Sequence, residues 1–108
     1  MSLNAQIIEP VTGKIDPELS ARLEVDEHGL LFGHTAISSE QFPLLFRLKD
    51  YYADTDFKTA ELESLISELE RAASLFGPDS RVCRFLGPFH LLCCLAFLRK
   101  KDVALYAD

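Results

Sequence analysis

His90 and Cys94 stand four residues apart in the stretch Pro88-Phe-His-Leu-Leu-Cys-Cys-Leu-Ala-Phe-Leu98. On a helix that spacing puts imidazole and thiol on one face, which is the minimum arrangement for a base-activated nucleophile. The surroundings argue against that chemistry, because apolar neighbours hold a thiol protonated and inert. A hydrogen-bonded core or boundary histidine is therefore the favoured reading of His90. Cys93 and Cys94 are adjacent and point about 100° apart on a helix, so they cannot chelate one metal as a Cys-x-x-Cys pair would. Cys83 and His90 could join them in a three-dimensional metal site, but the spacing gives that no support; Tyr106 is the remaining group of a ligand site around His90 and Cys94.

Acidic residues give a second candidate. Asp50, Asp54, Asp56 and Glu61 crowd one short stretch. Asp50 to Glu61 matches the first-to-twelfth spacing of a calcium loop, but Tyr52 occupies the third position and Thr55 stands where the turn needs glycine. No metal site is assigned. Tyr51 and Tyr52 beside these acids suggest an aromatic and acidic contact patch for a protein partner, with Glu61 and Glu68 extending it along the next helix. The plainer alternative is that one tyrosine packs inward. His28 and His34 lack a third ligand nearby. The chain contains no Walker loop, Gly-x-Gly-x-x-Gly, Gly-x-Ser-x-Gly or zincin motif, and no cofactor is implied.

These groups must be positioned by a small chain. The 108 residues fit one domain, residues 1–108. With 17 acidic and 11 basic residues the formal charge is −6, which disfavours a nucleic-acid partner and permits a basic protein partner. Three cysteines leave one unpaired in any disulfide scheme, which fits free thiols in a reducing compartment. The N-terminus lacks a basic segment followed by an apolar run, so no signal peptide is expected and the cytoplasm is the expected location. The uninterrupted apolar run Leu91–Leu98 is too short to span a bilayer.

In chain order, residues 4–9 read as a short strand carrying Ile7 and Ile8. Asp16-Pro17-Glu18-Leu19 reads as a helical turn with Asp16 as its cap. Alternation around Leu23 and Val25, a Gly29 turn and the returning Leu30-Leu31-Phe32 predict a β-hairpin over 21–33. Ser38 or Ser39 would cap a helix reaching Tyr52. Leu62, Leu65, Ile66, Leu69, Ala72, Ala73 and Phe76 recur at helical spacing and predict a helix over 59–76, stopped by Gly77-Pro78. Asp79 or Ser80 would cap a short helical piece before Gly87-Pro88 redirects the chain into an apolar helix over 88–101. Being apolar all round, that helix is expected at the centre of the core. Val103–Ala107 closes the chain as a strand. The expected architecture is α+β: a small antiparallel sheet, from the hairpin and terminal strands, packed on three or four helices.

The segments Phe42-Pro-Leu-Leu-Phe-Arg-Leu-Lys-Asp50-Tyr51-Tyr52, Glu61-Leu62, Leu65, Glu68-Leu69-Glu70 and Leu105-Tyr106-Ala107-Asp108 together resemble a pattern in small bacterial proteins, loosely similar to the immunity partners of secreted toxins. The resemblance covers about the last two thirds of the chain and rests mostly on helix-face residues. It implies an acidic, non-enzymatic module that binds a basic protein, and it brings no catalytic residues. Two alternatives stand beside it: a small enzyme or ligand-binding domain with a site at His90, Cys94 and Tyr106, and a homodimer formed through a helix face or the terminal strand edge.

Overall fold

The computed structural model describes residues 2–78 and 80–107. Strand β1 (Ser2–Ile8) and strand β2 (Ile15–Glu24) form a hairpin, and helix α1 (Val25–Phe32) follows directly. A short 3-10 helix spans Leu45–Lys49. Strand β3 (Thr55–Phe57), helix α2 (Thr59–Leu75), helix α3 (Cys83–Leu98) and strand β4 (Asp102–Ala107) complete the chain. The four strands make one antiparallel sheet in the order β2-β1-β4-β3. The α+β architecture is as expected from the sequence, with three α-helices among the described residues.

The hairpin lies elsewhere than predicted. Its strands are β1 and β2, joined by a turn in which Gly13 adopts φ 70° and donates to the Glu9 carbonyl at 2.7 Å. That left-handed conformation is open to glycine and strained for most other residues. The Asp16 to Leu19 stretch is a bulge in β2 rather than a helical turn. The pairing slips between Gln6↔Ser20 and Ile7↔Asp16, and Asp16 Oδ1 accepts from the Glu18 N–H at 3.1 Å. Asp16 caps no helix; its side chain closes an Asx turn within an edge strand instead.

Residues 25–32 form a helix, not the return strand of a hairpin. Glu27 explains the difference. Its carboxylate accepts from the Glu24 N–H at 3.0 Å, so an acid in the first turn supplies a partner for an otherwise orphaned donor. Glu27 and Leu31, four apart, then form the buried face of α1.

The two prolines flanked by apolar residues behave oppositely. Ser38 does cap a turn, accepting from the Gln41 N–H at 3.3 Å, but the predicted helix to Tyr52 does not form before or through Pro43. The Cβ of Phe42 clashes with a following proline in the α conformation. Only the 3-10 helix Leu45–Lys49 forms within that span. At Gly87-Pro88 the predicted break is absent, and α3 runs continuously through Pro88. Gly87 has no Cβ to meet the proline ring, so the residue before Pro88 can stay helical. The missing N–H of Pro88 leaves the Arg84 carbonyl without its usual donor. Ser80 fills the expected capping role, accepting from the Cys83 N–H at 3.3 Å. Asp79, the other candidate cap, and the terminal Asp108 lie outside the described residues.

Helices α2 and α3 cover one face of the sheet. Leu3, Ala5 and Ile7 of β1, Leu23 of β2, Phe57 of β3, and Val103 and Leu105 of β4 point into the core from the strands. Leu62, Leu65 and Leu69 of α2, with Phe85, Phe89 and Leu92 of α3, meet them from the helices. Phe85 and Phe89, one turn apart, stack with ring centroids 4.9 Å apart. Helix α3 is not enclosed on every side. Leu91 is 58% exposed and Leu98 is 77% exposed, so its outer face is open.

Two buried carboxylates tie elements together. Asp102, at the start of β4, accepts from the Thr59 N–H at 2.8 Å and from the Thr59 hydroxyl at 2.9 Å, which caps α2 from a distant part of the chain. Glu68 of α2 reaches the Leu44 and Leu45 N–H groups at 3.0 and 2.9 Å, which anchors the start of the 3-10 helix.

Candidate functional site

The acidic patch expected around residues 50–68 is largely committed to holding the fold. Tyr51 is buried, and its hydroxyl donates to the Leu23 carbonyl at 3.3 Å. Glu68 is buried as described above. Glu61 forms a two-pronged pair with Arg47 and accepts from the Lys58 N–H at 3.0 Å. The Arg47 guanidinium, and then the Lys58 N–H, hold the Glu61 carboxyl below its usual range. Asp54 accepts from the Ala107 N–H at 2.8 Å, and Asp56 pairs with Lys58 at 3.2 Å. Of the six, Tyr52 stands well out in solvent at 68% exposed, and Asp54 and Asp56 are exposed as well. The inward-facing alternative for one tyrosine is met at Tyr51.

His90, Cys94 and Tyr106 do not converge. Val103 and Leu105 face the helices, so Tyr106 points to the opposite face of the sheet, across from Asn4 in the β1–β4 ladder. His90 and Cys94 do meet, as their spacing predicts. The Cys94 sulfur lies 3.9 Å from Nδ1 and 4.0 Å from Nε2 of His90. Near-equal distances place the sulfur off the in-plane lone-pair direction of either nitrogen, along which a proton would have to pass. Burial, and then the Glu70 charge, push the Cys94 thiol up. Burial pushes Cys93 up much further. The geometry therefore offers no activated thiolate, consistent with the apolar sequence context.

What His90 does define is the rim of a groove between α2 and α3. The helices run antiparallel, and Glu70 of α2 meets His90 of α3 with Oε2 3.1 Å from Nε2. Below this pair lies an open groove of about 740 Å³, floored by Leu69, Ala73, Phe76 and Leu86. Ser74, Pro78, Cys83 and Gly87 complete its walls. Small side chains make the space. Ala73, Ser74 and Gly87 stand where larger residues would close the helices together. Glu70 is 63% exposed and has His90 as its partner, and Glu63, two turns earlier on α2, is also exposed. Neither has a Lys or Arg partner among the described residues.

Of the groove's residues, the sequence points to His90 and Cys83 as candidate site groups, and not to the small residues that open the space. A usable signal was present. The small run Ala72-Ala73-Ser74 precedes one Gly-Pro pair, and a second Gly-Pro pair sits on the facing helix. Together they mark two helices with little bulk at their junction.

Among the described residues no group of three or more His, Cys, Asp or Glu side chains is placed to hold a metal ion. Among the same residues, no helix is long and apolar enough to cross a membrane. Comparison with family models, with curated proteins and with solved structures finds no match to this chain.

Proposed function

We propose that this protein is a non-enzymatic binding module that seats a basic, partly apolar segment of a protein partner in the α2–α3 groove. The observation that carries the reading is an apolar floor bordered by an acid, Glu70, that no Lys or Arg neutralises among the described residues. A leucine- or methionine-sized side chain fills the floor, and an adjacent Lys or Arg pairs with Glu70 and is drawn by Glu63 further along α2. The net charge of −6 steers such a partner toward the protein. In this reading α3 is the central element, since its inner face holds the core and its flank forms one groove wall. An immunity-like role, in which a cytoplasmic acidic protein inhibits a basic one, is the form of this function closest to the sequence resemblance.

The test compares capture of partners by the wild-type protein and by variants, at low and moderate salt. Glu70→Lys and Ser74→Trp both alter the groove at exposed positions, so the fold should tolerate them. One stoichiometric basic protein, retained by the wild type and by Asp54→Lys but lost by both groove variants, supports the reading. A partner that ignores both groove variants refutes it. The second reading, a small-molecule site, rests on the His90–Glu70 hydrogen bond at the rim. It predicts that a bound ligand moves the His90 imidazole resonances and that Ser74→Trp abolishes the effect. An enzyme built on Cys94 has no support from the sulfur geometry.

A further inference from the structure

The α2–α3 groove does not end at its apolar floor. Past Pro78 and Cys83, which wall both spaces, it adjoins a recess of about 400 Å³ bordered by Ser80 and Arg84. Arg84 is exposed and makes no ion pair among the described residues. Arg81 differs, being committed to Asp26. Ser80 accepts from the Cys83 N–H at 3.3 Å and keeps its hydroxyl proton for another acceptor. The groove therefore carries an acid, Glu70, at one end and an uncompensated cation at the other. His90, the partner of Glu70, lies six residues after Arg84 on α3, which is about 9 Å of helix rise.

We infer that the partner segment seated in this groove is bipolar: a Lys or Arg at the Glu70 end, two residues over the floor, and an Asp or Glu at the Arg84 end. The inference rests on the binding reading given above and specifies the chemistry of the partner. Two observations select this occupant. The first is charge. Among the described residues Glu70 meets no Lys or Arg, and Arg84 meets no Asp or Glu. A purely basic segment sets a cation against Arg84, and a purely acidic one sets an anion against Glu70, so each is disfavoured at one end. The guanidinium of Arg84 can hold both oxygens of a carboxylate, and the Ser80 hydroxyl adds a donor beside it. The second observation is length. A chain in the polyproline II conformation advances about 3.1 Å per residue and turns once every three residues, so charges three residues apart lie on one side about 9 Å apart. That matches the rise between the two ends of the groove. The two intervening residues turn to either flank and face Leu69, Ala73, Phe76 and Leu86 of the floor.

Two synthetic tetrapeptides, acetyl-Lys-Leu-Pro-Glu-amide and its reversal acetyl-Glu-Pro-Leu-Lys-amide, test this on the full chain at neutral pH and low salt, read by the amide resonances of isotope-labelled protein. The tighter of the two should move Ala73, Phe76, Cys83 and Arg84 together, and Ser74→Trp should abolish the shifts. Replacing the Glu of that peptide by Gln should weaken binding by about threefold to tenfold, the size of one exposed charge-assisted contact. Arg84→Glu should weaken it similarly. Against the Arg84→Glu protein, a peptide carrying Lys in place of that Glu should bind better than the original, a reversal that misfolding cannot produce. If the Gln peptide binds as tightly as the Glu peptide, or if Arg84→Glu leaves the order of affinities unchanged, the bipolar inference falls. The groove reading survives that result as long as Glu70→Lys and Ser74→Trp still abolish binding. Absence of any shift at groove residues with either peptide up to about 10 mM, the range of weak short-peptide binding, also overturns the inference, and partner capture then decides the groove reading alone.

Discussion

Glu68 offers the sharpest check on how this fold is held. Its carboxylate is 4% exposed and takes hydrogen bonds from two backbone donors, Leu44 N–H at 3.0 Å and Leu45 N–H at 2.9 Å, both to Oε1. A second contact runs from the Leu44 N–H to Oε2 at 3.2 Å. Glu68→Ala removes the acceptor while both donors stay out of reach of bulk water. An unsatisfied buried donor costs about 1–3 kcal/mol, so the two together predict a loss of about 3 kcal/mol. Glu68→Gln keeps one oxygen that both donors can share, but it loses the charge and turns an amide N–H₂ toward Leu44. Its expected loss is about 1–2 kcal/mol. Urea unfolding at neutral pH, followed by circular dichroism, measures both. The midpoint should fall with an unchanged slope, since the surface exposed on unfolding is the same. In thermal unfolding the alanine variant should lose roughly 12–24 °C, at about 4–8 °C per kcal/mol for a domain near this size. A loss below about 0.5 kcal/mol for Glu68→Ala, the size of an ordinary surface substitution, would refute the reasoning. It would mean that Leu44 and Leu45 find other acceptors and that α2 does not anchor the 3-10 helix.

Three further outcomes follow from the same geometry. Asp102→Ala should cost about 1–2 kcal/mol, because it strips the first turn of α2 of a tertiary cap, and chemical denaturation reads this directly. Glu61 titrates below its ordinary value of 4.5 in the folded chain, chiefly because of Arg47. Its contribution is therefore complete above that ordinary value and is lost as pH falls through the folded value. Glu61→Gln should flatten that part of the acid limb of the stability curve, and an unchanged limb would count against the pair. Pro88→Ala should stabilise α3 by about 1 kcal/mol by returning a donor to the Arg84 carbonyl. Gly87→Ala should destabilise the wild type yet stabilise the Pro88→Ala variant, a reversal of sign that a double-mutant cycle detects.

The parts of the fold legible in the sequence are those whose signal is local and periodic. Helix α2 was predicted over 59–76 and spans Thr59–Leu75, because its apolar residues recur without interruption and Gly77-Pro78 ends it. Strands β1 and β4 were placed within about two residues for a similar reason, their short apolar runs bounded by breakers. The failures occur where a local signal has two physical outcomes. Asp16 before Pro17 can cap a helix or form an Asx turn in a bulge, and long-range pairing with β1 decides. Leu30-Leu31-Phe32 after Gly29 can return as a strand or continue a helix. The buried Glu27–Leu31 face, visible only once α1 lies against β2, decides that case. Pro43 and Pro88 carry the same backbone constraint, and the difference between them is the Cβ of the residue before.

The site was less legible than the fold, and the reason lies in what acids do in a small domain. Asp54, Asp56, Glu61 and Glu68 were read as a surface for a partner because they cluster in sequence. In the structure each has a donor from this chain. Three accept from backbone N–H groups, at Ala107, Lys58, and Leu44 with Leu45, and Asp56 pairs with Lys58. Short helices and an edge strand leave many orphan N–H groups, and carboxylates nearby in sequence are well placed to satisfy them. The acids left for a partner are those on a helix face that no strand end or helix start approaches, which on α2 means Glu63 and Glu70. The same argument applies to α3. An apolar helix implies burial, but strands β1, β2 and β4 and helix α2 cover only its inner half. Leu91 and Leu98 are therefore left facing solvent, although nothing in their own residue types sets them apart from the buried leucines of the same helix.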